Sequence, residues 1–415
     1  MVSQTKRVLR LSLAIAAAFS GLACDKDMRG SGGGSGGDTK VAGGGGKADP
    51  GPNAGVTPSP GGGDTILIGE YGSMTGSEAT FGQSTHNGIE LALAEQNAAG
   101  GVKGKKVKLV SYDDRGNAQE VGTVVTRLIT QDKVVAIIGE VASSRSLAGG
   151  RVAQQYGVPM ITPSSTNPEV TKVGDMIFRV CFLDSFQGYV VAKFAAETLK
   201  AKKVAILYDQ AQAYSKGLKD FFKAEFTRLG GKITTEQAYT GGDPDFNAVL
   251  TTIKGTKPDA IFTPGYYNDA GNIALQARKL GITVPLLGGD GWESPKLAEI
   301  AGKAIEGSYY SNHYSTEDPR SEVQEFVKKY KDRYGEMPDS LAALAYDATK
   351  LLCDALGRAP AWDGKTLART LAETQGFSGV TGKIQFDANR DAKKPAFMLQ
   401  MKEGKPVAVT STDPL

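Results

Sequence analysis

From Asp64 onward, apolar runs of strand length alternate with longer segments whose apolar residues recur at helical spacing. This alternation constrains the fold more than any other feature, because a strand buried on both faces reaches a parallel neighbour only through a crossover, usually a helix. Residues 65–70 read as a first strand, followed by a turn-rich stretch through Gly76. Ser84 or Thr85 is expected to cap a helix striped by Ile89, Ala92 and Leu93 and stopped by Gly100-Gly101. Residues 107–112 form the next strand, 118–131 a helix, and 134–138 an apolar run suited to a central parallel strand. Ser144 opens a helix ending at Gly157, and 159–162 is another buried strand. A second series begins beyond Phe178-Arg179-Val180, with strands at 204–208, 233–238, 260–263 and 284–287 and helices between them. A helix over 340–356 precedes a strand at 383–386 and a hairpin over 396–409 that turns at Glu403-Gly404. The expected class is α/β, with two doubly wound parallel-sheet lobes.

The segment before Asp64 speaks to location. Lys6, Arg7 and Arg10 precede an apolar run over 11–19, too short to span a bilayer, which is the layout of a secretory signal over 1–23. Gly21-Leu22-Ala23-Cys24 resembles the lipobox of bacterial lipoproteins, although Gly21 stands where that motif usually carries an aliphatic residue. The resemblance implies a lipidated Cys24; ordinary cleavage nearby, leaving a free thiol, is the alternative. Residues 24–63 then make an anchor and a tether, since 25–63 are dominated by glycine and cannot bury enough surface to offset chain entropy. A coil of that length reaches on the order of 35 Å. An exported protein is expected, on the periplasmic side of a bacterial membrane or the outer face of the cell membrane, touching lipid through its anchor alone.

The formal net charge is only +3 and the lysines are scattered, so nucleic acid is not expected as a partner. Cys181 and Cys353 read as buried free thiols, with a disulfide after export as the alternative. Catalytic patterns are missing. The first strand runs into Gly69-Glu70-Tyr71-Gly72-Ser73-Met74-Thr75-Gly76, which lacks the G-x-G-x-x-G spacing of a dinucleotide site, and no glycine loop ends in Lys-Ser or Lys-Thr. The two histidines, His86 and His313, sit in neither a nucleophile nor a metal-ligand pattern and read as surface or packing residues. Asp113-Asp114 and Asp290 follow strands, as catalytic carboxylates do, but so do turn aspartates. No enzyme, metal or cofactor is expected.

The strand ends carry more. Gly139-Glu140-Val141-Ala142-Ser143-Ser144 places paired serines where a strand gives way to a helix N-terminus, a setting that favours an anion such as a carboxylate. Thr162-Pro163-Ser164-Ser165-Thr166-Asn167 puts a hydroxyl-rich loop after the neighbouring strand, at the crevice where open α/β sheets bind ligands. With these segments, and with Gly76, Gly82, Asn87-Gly88, Tyr112-Asp113-Asp114, Phe178-Arg179, Asp184-Ser185-Phe186-Gln187-Gly188 and Gln276-Ala277-Arg278, the chain resembles the type I periplasmic solute-binding proteins for branched-chain amino acids, the leucine/isoleucine/valine-binding family.

That resemblance implies two lobes joined by three crossover segments, near 181–184, 311–314 and 387–394. Lobe one would span 64–182 plus 314–387, and lobe two 183–313 plus 388–409. It implies that Ser143 and Ser144 hold a ligand carboxylate, while the Ser164 carbonyl and Thr166 hydroxyl accept hydrogen bonds from its ammonium. Asp290 matches the acidic partner of that ammonium, where relatives often have Glu. Phe81, Tyr214, Tyr266 and also Trp292 would wall the side-chain pocket, Phe81 standing where some relatives have Tyr. Gly116 and Ala142 occupy the places of a cysteine pair found in some relatives. The implied function is delivery of an L-amino acid, of the branched-chain class, to the permease subunits of an ATP-driven transporter by a monomeric lipoprotein. Alternatives are a sensory module of the same fold, or a binder of an amide or aromatic acid.

Overall fold

The computed structural model describes residues 63–414; the expected signal segment, Cys24 and most of the tether lie outside the described residues. The chain opens with β1 (Thr65–Gly72), α1 (Ala79–Ala98), β2 (Lys106–Asp113), α2 (Ala118–Thr130), β3 (Ile137–Ile138), α3 (Ser143–Tyr156), β4 (Met160–Thr162) and β5 (Ile177–Arg179). These strands form one parallel sheet in the order β2-β1-β3-β4-β5, so the direction of winding reverses between β1 and β3. The second lobe contains α4 (Asp184–Lys193), β6 (Lys203–Asp209), α5 (Ala213–Arg228), β7 (Lys232–Tyr239), α6 (Asn247–Gly255), β8 (Ala260–Phe262), α7 (Tyr267–Lys279), β9 (Leu286–Gly288), α8 (Pro295–Ala301) and β10 (Tyr309–Asn312). The chain then returns to the first lobe as α9 (Ser321–Tyr334), α10 (Ser340–Arg358), α11 (Gly364–Ala372) and the small hairpin β11 (Phe377–Gly379) and β12 (Gly382–Ile384). It finishes in the second lobe with β13 (Ala396–Lys402) and β14 (Lys405–Thr412), which add antiparallel to β10. The second sheet runs β14-β13-β10-β9-β8-β6-β7, and its winding reverses between β6 and β8.

Each sheet is buried between helices, and each lobe has its own apolar core. The handover from one core to the other is abrupt. Cys181 belongs to the first core and Phe182 to the second, Tyr310 to the second and Tyr314 to the α9 cluster, Ala392 to the first and Ala396 to the second. Phe81, Ala142 and Leu341 come from first-lobe elements yet pack into the second core, so the lobes touch through apolar as well as polar groups. Within the first lobe α1 lies against α10 so closely that a β-carbon on Gly88 would fall 2.2 Å from the Ala342 carbonyl oxygen. Cys181 and Cys353 are both buried free thiols, as the sequence suggests.

Several expected boundaries shift. Helix α1 begins at Ala79, a turn and a half before Ser84, because the Ala79 N–H is taken by the Gly76 carbonyl and the Phe81 N–H by that of Glu78. Ser84 and Thr85 therefore lie inside the helix, and the Ser84 hydroxyl instead donates to Asp339, the N-cap of α10. The run at 134–138 contributes only two ladder residues as β3, while the Val135 N–H reaches the Leu67 carbonyl from outside it. Helices α9 and α11 are additions; the strand expected at 383–386 is the short β12, paired only with β11.

Candidate functional site

Each winding reversal places loops at the carboxyl ends of its strands, where open α/β sheets hold ligands, and the loops of the two sheets meet through Asn167, Ser144 and Ala213. In the first lobe the chain leaves β3 through Gly139-Glu140-Val141-Ala142 and enters α3 without a side-chain N-cap. The shape of this loop is imposed from beneath. Glu140, almost wholly buried, accepts from the Ser73 hydroxyl and from Arg145 Nε, each at 2.9 Å, and also from the Ala142 N–H. Arg145 Nη2 reaches Glu78 at 2.6 Å. Asp114 joins this cluster through Ser73, and burial, followed by the charge of Glu140, pushes its carboxyl up to about 7.

The loop after β4 is tied to the first. The Thr162 hydroxyl donates to the Glu140 carbonyl at 2.8 Å, and the Ser165 hydroxyl to Val141 O and Ser146 Oγ at 2.8 and 2.7 Å. From below, Arg179 donates to the carbonyls of Ser165 and Asn167 at 2.5 and 2.8 Å while its Nε pairs with Asp391 at 2.7 Å. Ser143, Ser164 and Thr166 are all buried. Ser143 Oγ accepts the Asn167 N–H at 3.3 Å, and Ser164 Oγ has no partner among the described residues.

In the second lobe the chain turns at Asp290–Trp292, just past β9. Asp290 is 6% exposed and held at both oxygens: Gln187 Nε2 donates to Oδ1 at 2.7 Å, and His313 Nε2 lies 2.9 Å from Oδ2. The Gly291 N–H donates to the Tyr214 hydroxyl at 3.1 Å. Tyr214 stacks on Tyr266 with ring centres 5.5 Å apart and planes 6° from parallel, and Phe81 of α1 meets Tyr266 edge-on at 5.4 Å. The Tyr266 hydroxyl has no partner among the described residues. Trp292, by contrast, lies over Gly288 with Nε1 donating to the Thr263 carbonyl and its ring tilted against Tyr310.

Contacts run unbroken between the lobes around this space. Asn167 Nδ2 donates to the Ala213 carbonyl and the Ala213 N–H donates to Ser144 Oγ, each at 2.9 Å. Ala213 leads directly into Tyr214, and Tyr214 through Gly291 to Asp290. The Ser144 hydroxyl, expected at the ligand carboxylate, here bridges the lobes by accepting the Ala213 N–H at the start of α5. Further bridges are Thr80 to Ser294 at 3.0 Å, Tyr267 to the Ser77 carbonyl at 2.8 Å, and the Ser340 N–H to Glu293 at 3.1 Å.

Three residues matter here that sequence reasoning left without a role. Asp184, at the start of α4, is fully buried, its carboxylate meets only the Thr166 hydroxyl among the described residues, and its N–H donates to the Thr166 carbonyl. Burial, then the charge of Asp290, pushes its carboxyl well above the usual range, and burial, followed by the charges of both acids, raises the neighbouring Tyr214 phenol. Gln187 and His313 secure Asp290; His313 reads in sequence as a packing residue because its partner is 23 positions away. Among the described residues no cluster of His, Cys, Asp or Glu could hold a metal, and no helix is long and apolar enough to cross a membrane.

Residues 65–406 match the family described as periplasmic binding protein. A Leu/Ile/Val-binding protein homologue from Brucella abortus is 34% identical over 344 residues, covering 82% of this chain and 91% of the relative. Among solved structures, a leucine binding protein from Thermotoga maritima is 40% identical with a TM-score of 0.81, covering 84% of this chain and 99% of its own. The substrate binding protein of a branched-chain amino acid transporter from Streptococcus pneumoniae, in complex with isoleucine, is 38% identical with a TM-score of 0.80, covering 84% and 100%.

Proposed function

Because the chain belongs to the periplasmic binding protein family, we propose that it is the substrate-binding component of an ABC amino-acid uptake system, takes a branched-chain L-amino acid between its lobes, and catalyses no reaction. One observation carries this: a hydroxyl-bearing helix start from one lobe and a carboxylate clamped by two donors from the other are linked through Asn167, the Ala213–Tyr214 segment and Gly291. A zwitterion leaves water only when both charges meet fixed partners. Ser143 at the α3 N-terminus would receive the ligand carboxylate, and the Ser164 carbonyl, the Thr166 hydroxyl and Asp290 the ammonium, with Asp184 close by. Tyr214, Tyr266 and Phe81 would enclose the side chain with rigid apolar area.

Hinge motion at the three core-to-core handovers would open the cleft, and ligand would favour the closed form by touching both walls. Export, a lipid anchor at Cys24, a tether and a permease that reads the closed shape complete the proposal. A thermal-shift panel of amino acids, amides and aromatic acids tests it. Ligand at about 100 times its dissociation constant adds roughly 2.7 kcal/mol, several degrees in melting temperature. Leucine, isoleucine or valine is expected to give the largest shift, and Asp290→Ala to abolish that shift while the protein stays folded. A flat response to every α-amino acid would reject the zwitterion site.

A further inference from the structure

His313 is one of two histidines in the chain, and it is 1% exposed. It follows β10 directly, where the chain leaves the second sheet, and its ring stacks on Phe182 with centres 3.9 Å apart. Phe182 lies where the chain first enters the second core. The imidazole is therefore fixed by two of the three crossings between lobes, with Nε2 held 2.9 Å from Asp290 Oδ2. Its Nδ1 has no partner among the described residues.

The chemistry of the pair follows from this geometry. Asp290 offers only acceptors when ionised, so Nε2 must carry the hydrogen that joins them. That hydrogen bond fixes the direction of the carboxylate. Gln187 does the same for the other oxygen.

Resting on the amino-acid reading above, we infer that His313 is the positioning residue that aims Asp290 at the ligand's ammonium, and that it thereby sets the preference for aminated over deaminated ligands. It touches the ligand only through Asp290. A packing role would act on every ligand alike, whereas this role acts on the amine alone.

The test is calorimetric titration of the full-length protein with L-leucine and with 4-methylpentanoate, the same molecule without its amine. His313→Leu is expected to weaken leucine binding about 10- to 100-fold, the loss of a hydrogen bond to a charged group, and to change 4-methylpentanoate binding by less than about threefold. His313→Gln, whose amide nitrogen can stand where Nε2 stands, is expected to restore leucine binding to within about fivefold of wild type. Equal losses for both ligands, or unchanged leucine binding in both variants, would overturn the inference while leaving the amino-acid reading intact. Wild-type protein that binds neither leucine nor any other α-amino acid would overturn that reading and this inference with it. Should His313→Leu fail to fold, the glutamine variant decides: a folded His313→Gln that loses both ligands equally counts against the role.

Discussion

The two lobes approach the same space with different equipment. In the first, charge is turned inward to hold backbone: Arg145 binds Glu140 and Glu78 beneath the start of α3, and Arg179 with Asp391 grips the carbonyls of Ser165 and Asn167. What remains for the cleft is neutral, the hydroxyls of Ser143, Ser164 and Thr166. In the second lobe the acid itself borders the cleft, aimed by Gln187 and His313 and backed by stacked tyrosines. A rigid neutral cradle and a charged jaw would divide the work of desolvating the proposed zwitterion, since neither alone partners both poles. It follows that damage in the first lobe should register as lost stability, and damage in the second as lost affinity.

The largest test of that contrast is Arg145→Met. It would leave Glu140 and Glu78 buried without their cation, and removing one partner of a buried pair costs about 3 to 5 kcal/mol. Thermal unfolding should drop by about 5 °C or more. Asp290→Ala, by comparison, should leave unfolding nearly unchanged while removing leucine binding. An Arg145→Met protein as stable as wild type would mean that the first lobe is not rigid by virtue of its ion cluster.

A smaller effect lies where the lobes meet away from the ligand. Glu293 of the second lobe accepts from Tyr310, Asn312 and the Ser340 N–H, the last at the start of first-lobe helix α10. Burial and then the charge of Glu293 push the N-cap Asp339 up to about 7, and burial raises Glu293 as well. The part of this shift owed to Glu293 exists only when the lobes are together, so closing takes up protons. Its support for closure is whole below the ordinary carboxylate range near 4, declines as pH rises, and is lost above about 7. Leucine affinity is expected to fall by up to about tenfold between pH 5 and 7 and to level off beyond. Glu293→Gln keeps an acceptor for Ser340 and should flatten the profile; an unchanged slope in that variant would exclude this pair as its source.

How much of this could be read from the sequence depended on the range of the interaction. Strand runs such as those leading to β1, β6 and β8 declare themselves locally, because burial on both faces requires uninterrupted apolar residues. The serines after β3 and β4 and the aspartate after β9 were legible for the same reason, since strand ends fix where the loops fall. Helix α9 went unread although Val323, Phe326, Val327 and Tyr330 form a stripe at helical spacing, because its charged outer face masked it. What no local pattern could disclose were pairings across the fold: Ser84 with Asp339, His313 with Asp290, and Trp292 with the Thr263 carbonyl. The start of α1 was misplaced because turn bonds from Gly76 and Glu78 substitute for the hydroxyl cap that sequence rules look for.

Ser144 supplies the smallest and most discriminating test. Its neighbour Ser143 sits in the circuit proposed to take the ligand carboxylate, whereas the Ser144 hydroxyl accepts the Ala213 N–H from the opposite lobe. Deleting a group that holds the carboxylate would cost a charge-assisted bond, while deleting a neutral bridge between half-exposed partners loses an ordinary one of about 0.5 to 1.5 kcal/mol. Ser144→Ala should therefore weaken leucine binding about threefold, with the same factor for every ligand that the protein accepts, because only the closing equilibrium has changed. Titration of leucine and valine into the variant measures both quantities. A loss approaching that of Asp290→Ala would put Ser144 on the ligand after all, and the division between neutral cradle and lobe-to-lobe latch within α3 would have to be redrawn.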